Sequence, residues 1–329
     1  MENVLQRTQI EGKTPGPKEP GSLLSPQQQD LIAYRLFKGI ATIVIIMLIL
    51  LVIILVKAAM PAMSEFGLQF ITSDWWNPVE DEFGGLAFIY GTLVSSFLAL
   101  LFATPVSIGV ALFINEVLPG WVGKVVGMFD ELIAAVPSIV LGLWGIFYLG
   151  PFVKNDLAPF LKSWLGFIPL FDGPSFGIGM ITASLILALM ITPTITSICR
   201  EVFRSVPIHQ KEAALALGAT RLEMFKMSIL KPSFSGMMGG VVLGLGRALG
   251  ETMAVAMVIG NKPQIKASLF APAATMASVI ANQYAEADSD LHLSALCLVG
   301  VLLFVITLIV NLAARFIVHM NDRSQRGSK

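Results

Sequence analysis

Residues 236–260 read GMMGGVVLGLGRALGETMAVAMVIG. The run is long enough to cross the hydrocarbon core of a bilayer, which takes about 20 predominantly apolar residues. Small residues recur at every fourth position: Gly236, Gly240, Gly244, Ala248, Thr252, Ala256 and Gly260. Such spacing lets helix backbones approach closely in lipid. The stripe drifts about 40° around a helix at each step, which predicts contacts with more than one neighbour. Arg247 and Glu251 alone bring charge into the run. A continuous helix would set them on one face at i,i+4, with Arg first, the weaker order relative to the helix dipole. An arginine at such depth costs at least about 2.5–3.5 kcal/mol on insertion scales, and charges inside a membrane usually line a polar route. Arg247, Glu251 and the adjoining Thr252 are therefore candidate substrate-pathway residues. An anion passing Arg247 would exchange for Glu251 as counter-ion. The structural alternative is a self-neutralising pair that ties helices together.

Working outward, comparable apolar runs fall near 37–58, 86–113, 126–149, 177–199 and 291–318. With 236–260 they predict an all-α, polytopic membrane protein of about six transmembrane helices. Composition agrees: of 329 residues, 55% are hydrophobic and 13% charged, against about 25% charged in soluble domains. Residues 1–35 are polar and rich in Pro, Gly and Gln, the composition of a disordered tail, here expected to be cytoplasmic. The membrane domain then covers 36–320, and 321–329 is a short cytoplasmic C-terminal tail. No signal peptide is visible, because the first apolar run is too long for an h-region and lacks a cleavage-like flank.

The formal net charge is zero, so the distribution of charge carries the information. With both termini cytoplasmic, the inner segments hold Arg7, Lys13, Lys18, Arg35 and Lys38, then Lys124, the 200–232 loop with its six basic residues (Arg200, Arg204, Lys211, Arg221, Lys226, Lys231), and Arg315, Arg323, Arg326 and Lys329. The outer segments hold only Lys57, Lys154, Lys162, Lys262 and Lys266. That asymmetry sets the orientation. Trp75, Trp76 and Trp164 fall where amphipathic rings favour the interface. The outer loops are too short for a soluble domain. Cys199 and Cys297 sit in or beside apolar runs and form neither a disulfide framework nor a metal site. No GxxxxGK[ST], HExxH or CxxC motif occurs, so no metal site is expected, no catalytic residue is named and the chain is not read as an enzyme. Passage, assembly or signalling across the membrane remain.

The largest inner loop, 200–232, reads REVFRSVPIHQKEAALALGATRLEMFKMSILKP. Pro207 behind Ser205 signals a helix start, and Gly218 follows Leu217 as a C-terminal cap. Thr220 and Glu223 form a capping box that opens a second helix toward Leu230. The loop is thus a helix–turn–helix hairpin, with Ala213, Ala214, Ala216 and Leu217 leaving one side small and apolar. A linker lying on the membrane surface is the alternative. Two prolines interrupt spans, at Val136-Pro137-Ser138 and Thr192-Pro193-Thr194. Each frees a carbonyl that neighbouring hydroxyls commonly satisfy. Ser138, Thr192 and Thr194 are therefore candidates for lining the route, or simply parts of kinks.

Glu212, Ala213, Ala214 and Gly218, followed by Leu230 and a proline, resemble the EAA loop of ABC importer permeases. That loop docks into a cleft of the ATPase subunit, so the resemblance implies that these four residues couple to an ATPase. The family pattern ends in Leu-Pro, whereas this chain has Leu230-Lys231-Pro232, a one-residue displacement that bears on how the loop enters the next span. The string GLGRALGETMAV, with Ile259-Gly260-Asn261, resembles the C-type permease subunits of Pst phosphate importers, within the binding-protein-dependent transport inner-membrane component family. So do WNPVEDEFGGLAFIYGTLVSS, ATPVSIGVALFINE, ELIAAVPSIVLGLWGIFYLGP and MITPTITSICREVFRSVP, and the likeness covers roughly 35–318.

The resemblance implies a type I ABC importer permease (MetI-like) fold in a bacterial inner membrane, and transport of inorganic phosphate through Arg247 and Glu251. It implies a second, A-type permease, a dimeric ABC ATPase that holds ATP and Mg, an external phosphate-binding protein and a link to phosphate-sensing regulatory proteins. No cofactor is expected on this chain, and no nucleic acid. Sulfate or molybdate is the alternative cargo, since one arginine does not distinguish oxyanions. A secondary transporter would carry several membrane-embedded carboxylates and matched broken helices. A signalling scaffold would not need a charged pair at mid-membrane.

Overall fold

The computed structural model describes residues 26–326. The tail expected over 1–35 lies outside the described residues up to position 25, and from Pro26 onward the chain is already helical. At the other end helix continues to Arg326, across most of the expected 321–329 tail.

The first helix, α1, is Pro26–Phe66, and it runs well beyond the 37–58 core that hydropathy marks. The chain divides at Ile53 into two units. The first unit ends within α1, and its apolar side chains, among them Ile45, Leu48 and Leu51, stand exposed. A surface of that kind suits lipid rather than water.

The second unit begins at Ile54. It contains α2 (Leu86–Val117), α3 (Gly120–Ala134), α4 (Ser138–Leu165), α5 (Met180–Arg204) and α7 (Arg221–Gly250), with α6 (Ile208–Ala216) between the last two. After them come α8 (Met253–Val258), α9 (Met276–Gln283) and α10 (Asp290–Arg326). A two-stranded antiparallel hairpin, β1 (Trp76–Asn77) and β2 (Glu82–Phe83), pairs Trp76 with Phe83. Among the described residues, five helices are long and apolar enough to cross a membrane, and the bent α3–α4 pair makes a sixth. The protein is all-α and polytopic.

Hydropathy marks one span over 126–149 interrupted at Pro137, and there the chain turns by 89° between α3 and α4. Pro137 sits at the N-cap of α4 with ψ 136°, outside the helical region. Its ring lacks an N–H and pushes Val136 away from helical geometry, so the run breaks there. Pro193 behaves differently and stays inside α5. There the Thr192 hydroxyl donates to the Ala188 carbonyl at 2.7 Å, and Ser107 of α2 donates to the Thr192 carbonyl at 3.1 Å. These hydroxyls satisfy backbone carbonyls next to the proline, as lipid cannot.

α5 is the centre of the unit. Ile186, Leu187, Ile191, Ile195, Cys199 and Phe203 are buried along it, packed with Ala99, Ala103 and Ala111 of α2 and Val255 and Val258 of α8. The glycine stripe of α7 lies on α5 as well. Gly236 faces Val202, Gly240 faces Ile198 and Gly244 faces Ile195, where a Cβ on Gly244 would come within 2.8 Å of the isoleucine Cγ1. Over these three positions the stripe serves one neighbour, while its last member, Gly260, meets Pro272 and Ile178, so that the stripe as a whole contacts more than one partner. Ala248 is buried in the same helix, and Thr252, Ala256 and Gly260 lie beyond a break described below.

A second cluster gathers Phe70, Phe83, Phe88, Met276, Val279 and Leu296 with Ala59 and Ala62 of α1. Trp76 belongs to it: its ring meets Phe83 and Phe88 at 4.8 Å, and its Nε1 donates to Gln283 Oε1 at 2.9 Å. Trp75 and Trp164 remain exposed, as interfacial rings should. Trp76 instead packs the core.

Candidate functional site

α7 stops at Gly250 instead of continuing to 260. Glu251 is extended, with φ −69° and ψ 127°, and α8 restarts at Met253. A break inside a membrane exposes N–H and C=O groups that must be met within the protein. Glu251 and Thr252 supply those partners: Glu251 Oε1 accepts from the Ala254 N–H at 3.4 Å, and the Thr252 hydroxyl donates to the Gly250 carbonyl at 3.2 Å. The i,i+4 face expected to unite Arg247 and Glu251 is therefore lost. Among the described residues, the ion pairs within 4.0 Å are Arg200–Glu131 and Lys211–Glu116. Arg247, in the last turn of α7, donates from Nη1 to Thr194 Oγ1 of α5 at 3.0 Å.

Beside that contact an open cavity of about 1110 Å³ lies between α5, α7 and α10. Arg247 and Thr194 line it, together with Asn311, Arg315 and His319 of α10, and the rest of the wall is glycine and aliphatic carbon. Among the described residues, no carboxylate lines it. The half-buried guanidinium thus faces a space wide enough for water, which offsets the cost of holding a charge at that depth. The chemistry on offer is a set of hydrogen-bond donors without acidic competitors, suited to an anion.

Of the residues singled out from sequence, Arg247 and Thr194 meet on this wall. Glu251, Thr252, Thr192 and Ser138 do not line it. Glu251 and Thr252 flank the helix break, Thr192 is turned to its own helix, and Ser138 opens α4 behind Pro137. Sequence reasoning missed Asn311, Arg315 and His319. Their signal was present as polar residues at i, i+4 and i+8 of an apolar helix, which places them along one face.

The loop between α5 and α7 keeps the predicted caps except at its start, where Pro207 stands just outside the helix it was expected to open from within. Pro207 is the N-cap of α6, and Gly218 turns the chain at φ +84° with open space around it. Thr220 Oγ1 accepts from the Glu223 N–H at 3.3 Å while Glu223 Oε2 accepts from the Thr220 N–H at 2.8 Å, a complete capping box. The second arm of the hairpin, however, is not a separate helix. It runs into the membrane span as one element through a π turn at Phe225–Leu230. A π turn holds one residue more than an α turn. Leu230 closes that π turn, and Lys231 and Pro232 open the α-helical stretch that continues the same element.

Glu212 and Ala213 are exposed on α6, and Ala214 packs partly against the main core. Leu217 and Leu222 are 90% and 78% exposed, so the tip of the hairpin is bare and apolar. Two contacts tie this region to the bundle. Lys211 pairs with Glu116, and Asn115 donates from Nδ2 to the Arg200 carbonyl at 2.8 Å. The Arg200 guanidinium in turn lies against Gly127 of α3, where any Cβ would overlap it.

Residues 103–327 match the family model described as the binding-protein-dependent transport system inner membrane component. The chain is 44% identical to the phosphate transport system permease protein PstC of Mesorhizobium japonicum, over 89% of its own length and 91% of the relative's. It is 42% identical to the protein of the same name from Xylella fastidiosa, over 96% and 97% of the two chains. Among solved structures, a chain of a bacterial alginate ABC transporter complexed with a periplasmic protein bound to an alginate pentasaccharide matches with a TM-score of 0.61 at 18% identity, over 90% of this chain and 96% of that one. The inward-facing MetNI methionine ABC transporter matches with a TM-score of 0.52 at 17% identity, over 71% and 94%. These last two likenesses establish the fold. Fold, family model and full-length relatives agree, and the chain belongs to the family of inner-membrane components of binding-protein-dependent transport systems.

Proposed function

We propose that this chain is the transmembrane permease subunit of an ATP-driven importer that carries inorganic phosphate into the cytoplasm. The observation that carries the reading is Arg247, held by Thr194 beside a helix break and facing an open cavity in which no carboxylate stands among the described residues. The names of the full-length relatives supply the cargo. In this reading Arg247 receives the anion. Glu251 and Thr252 at the break make the pathway flexible there, and Glu251 serves as counter-ion once the anion has moved on. Thr194 orients the guanidinium. Ser138 and Thr192 act on the route through the kinks they stabilise.

The remaining machinery is supplied by partners: a second, A-type permease, a dimeric ABC ATPase that binds ATP and Mg, and a phosphate-binding protein on the outer side. A link to phosphate-sensing regulatory proteins is compatible with this arrangement. Both termini and the hairpin after α5 face the cytoplasm, in keeping with the excess of Lys and Arg on that side. Glu212, Ala213, Ala214 and Gly218 form the contact with the ATPase. The exposed apolar tip at Leu217 and the continuity of the hairpin with α7 support this, because a push on the tip would move Arg247 directly. The chain itself binds no nucleotide and performs no covalent step.

The test is uptake of radiolabelled phosphate by phosphate-starved bacteria lacking this chain, complemented with the wild type, with Arg247→Gln or with nothing. Uptake restored by the wild type alone, and unaffected by excess sulfate, is the expected result. Equal uptake in all three strains would remove the phosphate reading, and competition by sulfate would favour another oxyanion.

A further inference from the structure

We infer that Asn311, Arg315 and His319 of α10 form an exit ladder for the transported anion, leading from Arg247 to the cytoplasmic end of the bundle. The inference deepens the proposed permease function and rests on Arg247 being part of its route. The three residues are spaced four apart, so their side chains lie on one face at steps of about 6 Å along the helix axis. All three line the cavity that Arg247 lines. The top of the ladder is level with the arginine, because a Cβ on Gly246 would lie 3.8 Å from both Nδ2 and Oδ1 of Asn311. From there Arg315 and His319 descend along α10, opposite the stretch of α7 that runs back to Gly239.

α7 makes room for this descent. Gly239 and Gly246 present no side chain to the cavity, and nothing lies within 4 Å of a Cβ on Gly239. Among the described residues, the wall opposite the ladder is therefore backbone and aliphatic carbon, with no carboxylate to hold a cation or to repel an anion. Each rung carries N–H donors: the Asn311 amide, which spends one of its two hydrogens on the Thr307 carbonyl at 2.9 Å, a guanidinium and an imidazole. A small oxyanion leaving Arg247 would meet a new donor about every 6 Å and would not need to shed its polar partners in one step. Conduction of this kind needs several sites, each weak enough to release its ion.

The competing account is that Arg315 and His319 are basic anchors at the inner membrane interface, of the sort that fix helix orientation. An anchor depends on depth, not on which face of the helix it occupies, whereas a rung depends on facing the cavity. Ile317 lies about 200° around the helix from Arg315, is 64% exposed and is not part of the cavity wall. This separates the two accounts.

The experiment measures initial phosphate uptake by the complete importer in phosphate-starved cells, together with copurification of the second permease and the ATPase. Arg315→Gln should lower uptake by about tenfold, the loss expected of one charge-assisted hydrogen bond to an anion. Arg315→Lys should recover most of it, and Arg315→Gln/Ile317→Arg should not. Gly239→Leu should obstruct the cavity and reduce uptake while the complex still copurifies. Wild-type uptake in Arg315→Gln, recovery by the Ile317→Arg charge, or loss of the second permease from Gly239→Leu would each overturn the ladder. The last result would identify the cavity as the seat of that partner. Arg247→Gln, run in parallel, reports on the underlying reading: normal uptake there removes the route itself, whereas loss there with normal uptake in Arg315→Gln removes only the ladder.

Discussion

Lys211 of α6 donates to the Glu116 carboxylate at the end of α2 at 2.5 Å, with side chains 16% and 10% exposed. The pair joins the hairpin proposed to meet the ATPase to a helix that packs along α5, the centre of the bundle. Asn115, one residue earlier, holds the Arg200 carbonyl of α5. A displacement of α6 is thereby passed to two core helices as well as to α7.

Removing one member of a largely buried ion pair leaves the other charge uncompensated, at a cost of about 3–5 kcal/mol. Lys211→Met should therefore lower the thermal midpoint of the solubilised complex and raise the ATP consumed per anion transported. The exchange Lys211→Glu/Glu116→Lys should regain much of both. If the exchange performs no better than the single change, the charge contact is not what couples these helices.

Thr194→Val removes the hydroxyl that accepts from Arg247 and keeps its volume. The released guanidinium loses its fixed direction, and a lost hydrogen bond to a charged group is worth about 1.5–3 kcal/mol. Uptake should fall by about tenfold or more at unchanged complex yield, and Thr194→Ser should restore it. Radiolabelled uptake with quantification of the membrane-inserted protein decides the matter.

Glu251→Gln separates the two roles assigned to that residue. The glutamine keeps the Oε1 acceptor that meets the Ala254 N–H and discards the charge. We expect an unchanged thermal midpoint with uptake reduced at least about tenfold, since each factor of ten reflects only about 1.4 kcal/mol. Normal uptake would confine Glu251 to closing the start of α8.

Gly244→Val places carbon atoms where Ile195 already stands, and overpacking of this kind costs about 1–3 kcal/mol. Less protein should accumulate in the membrane, and the residual complex should melt earlier. Gly239→Ala on the same helix meets open space and should change neither quantity.

Much of the fold is legible in the residues one helix at a time. Long apolar runs mark the crossings, and the Thr220–Glu223 box with Gly218 marks the hairpin down to its hydrogen bonds. These features are local: each depends on a hydropathy window or on a cap within a few residues. The arginine is equally plain, because one charge in an apolar run has few explanations. The two proline sites show where local reading fails. Pro137 breaks its span by 89° and Pro193 does not, although both follow a β-branched residue. Pro193 stays inside a continuous helix whose adjacent carbonyl, that of Thr192, is met by Ser107 of another helix, a contact that no local window reveals.

The residues alone establish that this protein lives in a membrane, roughly where its apolar runs lie and that one of them carries an arginine. The family motifs legible in the same residues pointed to an importer permease. It takes the packed fold to show that α7 ends at Gly250, that Glu251 turns to the backbone of Ala254, and that Arg247 pairs with Thr194 and shares a cavity with Asn311, Arg315 and His319. The cause is distance along the chain. Periodicity fixes which residues share a face of one helix, but which faces of different helices meet depends on packing among side chains far apart in sequence, and it is that packing which opens the cavity.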